Sequence, residues 1–515
     1  MSALDGYELV CGLEVHAQLN TKTKLFSWSE NAFGGEPNSR TDPVTLGLPG
    51  TLPVLNEEAF RKVLRVAVAF GSTIANEMEF DRKHYYYPDL PKNYQISQNY
   101  RNIGEGGSIQ LLKSGKSIRF HNIHLEEDAG KNVHPEGGTR DATYVDLNRA
   151  GTPLAEIVTM PDFRTVDEID DYMHTLTQLL LQLDASNCKM QEGNLRFEAS
   201  VSVRPRGETK LGRRVEIKNL NSYGMVRNAV VFEHARQVAL VTAGHAVAQE
   251  TRLWDETGTV AWNEPVSLDA VKALLPADFK GRTALMRSKE NAPDYRYMPE
   301  PDLVPFVISP ALVESLRATL PELPGPRARR LMSLGVPEKM ATETFQTKPW
   351  LLAYFEQLVA LGVPGPDAAN YCDNQIAAAV NERGGYEEWA KRPVPPAHVA
   401  ELYQVVVRGE TTKDLALKQV WPKVLAEGIS PREAIAKHGL VALAEGDVRK
   451  AVEDAWKASP KIVADLLAGK EKAKSGLLGP VMRATKGKAS PDLVAKIVDE
   501  ILARERAAEE RKKGG

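Results

Sequence analysis

The chain has 515 residues, too many for a single hydrophobic core, so we expect two to four domains. With 43% apolar residues, 26% charged residues and a net charge of -3, its composition is that of a soluble globular protein, and any nucleic-acid site must lie in a local basic patch. Three widely separated cysteines argue against a disulfide scaffold or a cysteine zinc site, and the lack of a signal peptide or a long apolar run predicts a cytoplasmic protein that binds no membrane.

The first 302 residues combine strand and helix patterns. Residues 7–19 alternate, with the apolar side chains on one face and Glu14 and His16 on the other. Residues 57–70 and 166–183 have helical spacing, with Asn56 and Thr165 as N-caps. Residues 196–204 alternate again. We therefore predict an α+β fold whose first domain, residues 1–302, is a catalytic domain around a mixed or antiparallel sheet.

Beyond residue 302 the strand patterns give way to helical patterns broken by Pro-Gly and Pro-Pro pairs. They predict an all-helical middle domain at residues 303–408 and an all-helical tail domain at residues 409–510. Residues 260–285 read as a surface insertion in the first domain that contains a short helix at residues 268–275. We assign this insertion no function.

Carboxylates occur on or beside several strand patterns of the first domain. They are Glu14, Glu126, Glu127, Glu198 and Glu216, and His16 shares the polar face of Glu14. If these segments converge, they form an open Mg²⁺ site that clamps nucleotide phosphates, with Lys218 and Arg149 neutralising the transferred group. For each segment alone, a solvated polar surface or a local ion pair is the alternative.

Common nucleotide-binding motifs fail on inspection. Gly115-Lys116-Ser117 lacks the first glycine of a phosphate-binding loop because Gln110 stands there, and Gly104-Glu-Gly106 lacks the third glycine of a dinucleotide loop. Residues 81–98 form an extended segment in which three consecutive tyrosines lie near Lys83 and Lys92. This segment is either a stacking surface for a base or a surface loop packed by its own tyrosines.

The run Tyr-Val-Asp-Leu-Asn-Arg-Ala-Gly-Thr-Pro-Leu-Ala-Glu-Ile-Val at residues 144–158 resembles the signature of the GatB family, the B subunits of the tRNA-dependent amidotransferases. Other segments on both sides of this run also match the family, in the family's order along the chain. They are residues 12–19, 83–98, 124–131, 191–196, 215–222, 286–290 and 294–303. The resemblance implies ATP-dependent activation of the side-chain carboxylate of misacylated Glu-tRNA(Gln) or Asp-tRNA(Asn) as an acyl phosphate, followed by amidation. It also implies that ammonia arrives through a channel from a partner glutaminase (the A subunit of such complexes), while the small C subunit braces the pair.

The resemblance also implies roles for individual residues. Those implied as metal ligands are Glu14, His16, Glu126, Glu127, Glu198 and Glu216. Those expected to be catalytic are Glu127, Lys218 and Arg149, and those expected to contact ATP are Arg149, Lys218, Asn148 and Arg196. Lys83 and Lys92 are expected in the ammonia channel, and a basic segment of the tail is expected to bind tRNA through Lys474, Arg483, Lys486 and Lys488.

Two departures from the family pattern are visible. The family has Arg-Cys-Asp where this chain has Arg196-Phe-Glu198, so this carboxylate is one methylene longer, and most relatives turn tightly where this chain has the insertion at residues 260–285. Two alternatives to the enzymatic interpretation stay open at this stage. One is a tRNA-binding scaffold without catalytic residues, and the other is a free-standing carboxylate–ammonia ligase.

Overall fold

A computed structural model describes residues 3–133, 142–288 and 295–513 of the chain. The chain divides into two compact units, Met1–Arg330 and Leu331–Gly515. The first unit contains the strands, and the second is helical in the part that the structure describes. This agrees with the predicted α+β class.

The strands found in the described residues are β1 (Tyr7–Gln18), β2 (Thr73–Ile74), β3 (Glu77–Met78), β4 (Asp81–His84), β5 (Tyr94–Ser97), β6 (Gly104–Glu105), β7 (Ser108–Gln110), β8 (Ser117–Glu127), β9 (Lys131–Val133), β10 (Tyr144–Asp146), β11 (Pro153–Thr159), β12 (Leu195–Pro205), β13 (Val215–Leu220), β14 (Glu250–Asp255), β15 (Arg282–Ser288), β16 (Met298–Pro299) and β17 (Phe306–Val307).

The helices of the first unit are α1 (Glu57–Ala69), α2 (Val166–Gln182), α3 (Tyr223–Thr242), α4 (Leu268–Lys272), α5 (Pro310–Ala318) and α6 (Pro324–Ser333), which ends in the second unit. Those that follow are α7 (Phe345–Thr347), α8 (Pro349–Ala360), α9 (Gly365–Asn370), α10 (Ala377–Glu382), α11 (Tyr386–Lys391), α12 (Pro396–Val407), α13 (Lys413–Leu415), α14 (Trp421–Glu427), α15 (Pro431–His438), α16 (Glu445–Ala458), α17 (Pro460–Leu467), α18 (Lys474–Ala484) and α19 (Pro491–Lys513). None of the described helices is both long and apolar enough to cross a bilayer.

One large sheet organises the first unit. Within the described residues it has ten strands in the order β15-β14-β13-β12-β1-β11-β8-β6-β2, and β7 also pairs with β8. Its neighbours run antiparallel except β13 and β14, which are parallel. The sheet is therefore mixed, as the sequence predicts, and β1 lies near its centre.

The alternation of β1 divides the first unit into a packed face and a polar face. Leu9, Leu13 and Val15 are buried in the main hydrophobic core, which also contains residues of α1, α2 and α3. Burying such apolar side chains supplies most of the stabilisation of a domain of this size. The opposite face of the central strands is left to polar residues and carries the candidate site.

The two predicted helices of the first unit begin where their capping residues predict. The Asn56 side chain accepts a hydrogen bond from the Ala59 N–H at the start of α1, and Gly71, with a φ of +69°, follows its end. Thr165 and Glu168 form a complete capping box at the start of α2. Removing either cap costs about 1 kcal/mol by analogy with measured N-caps.

The boundaries of the packed regions differ from the predicted domain limits. Half-buried residues of α5 pack on the first core, so the first unit runs past residue 302. A second core extends from Leu331 to Leu440, and a third from Val448 to Leu502. The helices just after residue 409 therefore pack with the middle helices, because their apolar faces complete the second core.

The insertion at residues 260–285 is more than a surface loop. Ser267 caps the short helix α4, and Val266 and Val271 are buried against residues of α3 in a small separate core. Trp262 donates its indole N–H to the Val266 carbonyl at 2.8 Å. The predicted helix is present, but its surroundings are packed rather than solvated.

Candidate active site

Four adjacent strands place titratable side chains in one row on the polar face of the sheet. His16 on β1 lies opposite Glu156 on β11 and opposite Arg196 on β12. Glu156 in turn lies opposite His124 on β8. Because side chains of directly paired residues project to the same face, these four meet although they are far apart in the sequence.

Carboxylates surround the imidazole of His16. Its Nε2 lies 3.4 Å from Glu156 Oε2, 3.7 Å from Glu14 Oε1 and 3.7 Å from Glu126 Oε1. His124 Nε2 lies 3.2 Å from Glu156 Oε2. We call Glu14, His16, Glu126, Glu156 and Glu198 the acid cluster. Its members come from β1, β8, β11 and β12, and such crowding of like charges is costly without a cation.

The electrostatic state of the acid cluster follows from this crowding. Burial lowers the pKa of His16, but the contacts with Glu156 and the neighbouring carboxylates raise it to about 9. Burial and the charge of Glu156 raise the pKa of Glu14 to about 7. Burial alone raises the pKa of Glu156, yet the adjacent His124 and His16 hold it well below its ordinary value. The positive charge of a protonated His16 imidazole therefore stands where a bound cation would.

The donor atoms of the acid cluster fit a divalent cation. Two overlapping groups have ligand atoms within 4.8 Å of one another, namely Glu14, His16 and Glu198, and His16, Glu126 and Glu156. Carboxylate oxygens are the ligands that Mg²⁺ and Mn²⁺ prefer, and a single imidazole is compatible with either ion. Of the six predicted metal ligands, four belong to these groups.

A pair of arginines faces the same space. The carboxylate of Asp128, which is buried, accepts a hydrogen bond from Arg196 Nη2 at 2.9 Å, and its Oδ2 lies 3.5 Å from Arg149 Nε. Gln18 Nε2 donates to the same oxygen at 3.0 Å. Burial raises the pKa of Asp128, but the two arginines lower it below its ordinary value. Asp128 thus holds both guanidinium groups side by side.

Most of these groups line one cavity of about 760 Å³, and Glu156 and His124 lie outside its lining. Its lining includes Glu14, His16, Glu126, Glu198, Arg149, Arg196, Lys83 and Lys218. Arg149, Arg196 and Asn221 also line a neighbouring cavity of about 510 Å³, together with Asn148 and other amide side chains. The larger cavity therefore has a wall suited to cations, a wall suited to anions, and a second compartment beyond the arginine pair.

Lys218 and Glu216 lie beside the acid cluster on β13. Lys218 Nζ contacts Glu198 Oε2 at 2.5 Å, which places an ammonium group at the edge of the cluster. Glu216 lies opposite Ser200 in the register and is ion-paired with Arg214 at 2.9 Å. Glu216 lines a smaller cavity of about 300 Å³ with Glu14, Glu198 and Lys218. It belongs to neither group of candidate ligands.

The structure separates Glu127 from the acid cluster. Glu126 and Glu127 are consecutive residues of β8, so their side chains point to opposite faces of the sheet. Glu127 accepts hydrogen bonds from Lys92 and, at 2.9 Å, from the Ile96 N–H, on the buried side. Glu127 is thus in neither group of candidate ligands, its role as a metal ligand stays a prediction, and Lys92 is its ion-pair partner.

The other basic residues predicted to be functional lie either at the larger cavity or in the tail. Lys83 on β4 lines the larger cavity, and its Nζ lies 5.2 Å from the ring centroid of Tyr295. In the tail, Lys474 begins α18 and pairs with Asp499 at 2.6 Å, and Lys488 donates to the Gly439 carbonyl at 3.0 Å. Arg483 and Lys486 are exposed. Their expected contact with tRNA stays a prediction.

Three residues at the centre of the site are absent from the sequence-based prediction. They are Glu156, His124 and Asp128, all of them in segments that carry the family resemblance. His124 and Glu126 are two apart on β8, so strand periodicity was a usable signal for His124. Glu156 required the register of β11 against β1, which the sequence alone does not supply.

Comparisons with known proteins cover most of the chain. Residues 9–314 match the family model described as the GatB/GatE catalytic domain, and residues 353–502 match the model described as the GatB domain. The chain is 42% identical to the aspartyl/glutamyl-tRNA(Asn/Gln) amidotransferase B subunit of Moorella thermoacetica over 500 residues, which cover 96% of this chain and 100% of the relative. The corresponding B subunits of Thermoanaerobacter sp. and Persephonella marina are 40% and 39% identical, and the matches cover 97% and 96% of this chain and 100% and 99% of the relatives.

Proposed function

Because the chain belongs to the family of aspartyl/glutamyl-tRNA(Asn/Gln) amidotransferase B subunits, we propose that its larger cavity activates and amidates the side-chain carboxylate of a tRNA-bound Glu or Asp. The observation that carries this proposal is the meeting of the acid cluster with the Asp128-bound arginine pair in one cavity. A carboxylate is a poor electrophile, so amide formation requires a leaving group, and phosphate from ATP supplies one.

In the proposed reaction the substrate carboxylate oxygen attacks the γ-phosphorus of ATP, and the bond to the β-phosphate oxygen breaks to release ADP. Ammonia then attacks the carbonyl carbon of the acyl phosphate, phosphate leaves, and the nitrogen loses one proton to give the amide. Arg149 and Arg196 contact the phosphate oxygens, and Lys218 neutralises charge beside Glu198. Asn148 binds ATP from the neighbouring compartment.

The acid cluster would hold Mg²⁺ through Glu14, His16, Glu126, Glu156 and Glu198. An ion bound there supplies positive charge that neutralises the phosphate oxygens and orients them. The remaining work belongs to side chains of this chain. Lys83 lines the cavity beside the Tyr295 ring, and Lys92 pairs with Glu127 outside the cavity lining. The nitrogen source is a partner glutaminase, and a third, small protein braces the assembly.

The proposal is tested with the chain assembled with its partner proteins, supplied with ATP and either Glu-tRNA(Gln) or Asp-tRNA(Asn). Amide formation on at least one tRNA is expected, and omission of the nitrogen donor in the presence of hydroxylamine should trap the acyl phosphate as a hydroxamate. His16→Ala should abolish hydroxamate formation and amidation together, whereas Glu105→Gln, at an exposed position of β6 outside the cavity lining, should not.

Two outcomes overturn the proposal. If His16→Ala and Glu14→Gln both leave the hydroxamate yield unchanged, the chain is a tRNA-binding scaffold. If the chain amidates a small free acid as well as it does the misacylated tRNA, it is a free-standing ligase.

A further inference from the structure

The mouth of the larger cavity carries aromatic side chains that the proposed chemistry does not use. Tyr85, Tyr86 and Tyr87 follow β4, and Tyr295 and Arg296 precede β16; all five line the cavity. We call these five residues the tyrosine rim. Tyr86 and Tyr87 are 66% and 55% exposed. Two adjacent large aromatic side chains left this open at a cavity mouth mark a binding surface rather than core.

The rim is built from two chain segments held together by specific contacts. The His84 N–H donates to the Tyr295 carbonyl at 2.8 Å, and the His84 ring lies 3.0 Å from the Arg296 carbonyl through Nδ1. Arg296 Nη2 donates to the Tyr86 hydroxyl at 2.9 Å, and its guanidinium lies 5.6 Å from the centroid of that ring. Arg296 has a φ of +42°, a conformation that non-glycine residues rarely adopt. The hydrogen bond and the ring contact place the guanidinium beside the ring, and together they offer a cationic–aromatic surface.

Lys83 connects the rim with the acid cluster. Its Nζ lies 5.2 Å from the centroid of the Tyr295 ring, and the carboxylates of Glu126 and Glu156 act on its charge strongly enough to raise its pKa despite burial. A ligand that fills the cavity thus touches the acid cluster at one end and the rim at the other. The cavity therefore suits a ligand that has a flat group at one end and a polar group at the other.

We propose that the tyrosine rim stacks the base of the 3′-terminal adenosine of the aminoacyl-tRNA, so that the attached amino acid extends to the acid cluster. This inference rests on the proposed function. In that substrate the amino acid is esterified to the ribose of the terminal nucleotide, so only a few single bonds separate its carboxylate from the adenine. ATP has its adenine behind three phosphates, and the arginine pair opens into the 510 Å³ compartment, which accommodates it on the other side. Aromatic stacking on a base contributes about 1–3 kcal/mol.

The experiment measures steady-state amidation by the assembled amidotransferase while aminoacyl-tRNA and ATP are varied separately. Tyr86→Ala should raise KM for aminoacyl-tRNA about tenfold and leave KM for ATP within twofold. Tyr86→Phe keeps the aromatic face and loses only the hydrogen bond from Arg296, so it should raise the same KM about two- to threefold. Tyr100→Ala removes a tyrosine of similar exposure, 60%, outside the cavity lining and should change neither KM.

A second arm identifies the group that is stacked. The same variants are tested with chemically aminoacylated tRNA whose terminal nucleotide lacks a base. If Tyr86 acts through the terminal adenine, wild type and Tyr86→Ala should have the same KM for this substrate, because the interaction is missing in both.

Three results overturn the inference: an unchanged KM for Tyr86→Ala, a rise in KM for ATP instead, or a tenfold difference that persists with the abasic tRNA. Should Tyr86→Ala not fold, Arg296→Ala takes its place, with an expected rise of about threefold that must likewise vanish on the abasic tRNA. Failure of the wild-type assembly to amidate either tRNA overturns the proposed function instead, so the two failures are distinguishable.

Discussion

The first unit contains two groups of closely spaced charged side chains, one on the polar face of the sheet and one between α3, β14 and the insertion, and they differ in how the charges are paired. Around Arg236 and Arg252, the contacts to Glu233, Glu250 and Glu264 have N–O distances of 2.6–3.0 Å, apart from one of 3.6 Å. In the acid cluster, His16 Nε2 is no closer than 3.4 Å to any of the three carboxylates around it.

The difference in pairing indicates different roles for the two groups, one in stabilising the fold and one in binding a ligand. The first group, which we call the arginine network, joins α3 to β14 and to the insertion through hydrogen-bonded ion pairs. Thr283 Oγ1 completes it with a hydrogen bond of 2.7 Å to Glu233. The acid cluster has carboxylates in excess, longer separations and an adjoining cavity. A fully paired network stabilises the fold, whereas an unbalanced cluster beside a cavity indicates a ligand.

The largest expected effect is the loss of an arginine from the network. Arg252→Met leaves buried carboxylates without a partner and should lower the free energy of unfolding of the first unit by about 3–5 kcal/mol. Calorimetric melting of the purified chain measures this loss as a lowered midpoint. Arg119→Met, which removes an exposed arginine paired with Asp162, is the matched control and should leave the midpoint nearly unchanged. Equal midpoints for the two variants would contradict the structural role of the network.

The same variant has a pH signature. Burial raises the pKa of Glu233, but Arg236 and Arg252 lower it below its ordinary value in the folded chain. A carboxyl group with a lowered folded pKa stabilises the protein above its unfolded pKa, about 4.3, and this contribution is lost as the pH falls through the folded value. The melting midpoints of wild type and Arg252→Met should therefore differ most near neutrality and approach each other in acid. A constant difference across this range would contradict the assignment.

Glu156→Gln tests the other side of the comparison. It removes the carboxylate that pairs with His16 and His124, so the melting midpoint should fall, but less than in Arg252→Met because Glu14 and Glu126 remain near His16. Amidation should fall roughly 100-fold, or about 2.7 kcal/mol, and the Mg²⁺ concentration for half-maximal activity should increase. Titration of activity with Mg²⁺ measures both, with Glu105→Gln as the control. A loss of stability as large as that of Arg252→Met, with unchanged activity, would mean that Glu156 stabilises the fold and does not act in the reaction.

Asp128→Asn asks whether a paired charge also supports function. Its carboxylate aligns Arg149 and Arg196, and the amide keeps the shape while losing the charge that orients both guanidinium groups. We expect KM for ATP to rise about tenfold, or about 1.4 kcal/mol, with a smaller change in kcat. Asp128→Glu retains the charge and should recover part of this loss. An unchanged KM for ATP in both variants would mean that the arginines are positioned independently of Asp128.

The smallest effect is expected in the second unit, where the basic segment near α18 is exposed. Lys486→Ala should weaken tRNA binding about two- to threefold and reduce by about one the slope of log affinity against log salt concentration. Lys461→Ala, an exposed lysine of α17 outside that segment, is the matched control. A change in KM for ATP without a change in tRNA affinity would contradict the predicted role of Lys486 in tRNA binding.

The sequence predicted the parts of this molecule that depend on local periodicity. The alternation of β1 placed Glu14 and His16 on the polar face, and the capped helices α1 and α2 begin where Asn56 and Thr165 predict. The resemblance placed Glu126 and Glu198 in the same site. These features depend on spacing within one element, or on segments already aligned by a family pattern.

The sequence-based site prediction and the structure differ for residues whose position depends on the pairing between strands or on contacts between separate elements. Glu127 was grouped with Glu126, although consecutive strand residues point in opposite directions. Glu156 was missed because its place beside His16 is set by the antiparallel register of β11 and β1. Glu264 belongs to the arginine network, yet it lies in an insertion whose packing no local pattern indicates.

The side chains of strand β1 alternate between the hydrophobic core and the candidate active-site cavity. Its odd-numbered residues fill the core, and its even-numbered residues Glu14 and His16 reach the cavity, with β11 and β12 paired along its two edges. Deleting a single residue from the first half of this strand would exchange the two sets, sending carboxylate and imidazole inward and leucine outward. Folding and catalysis therefore depend on the same inward–outward alternation of β1, and a one-residue deletion of that kind would abolish both.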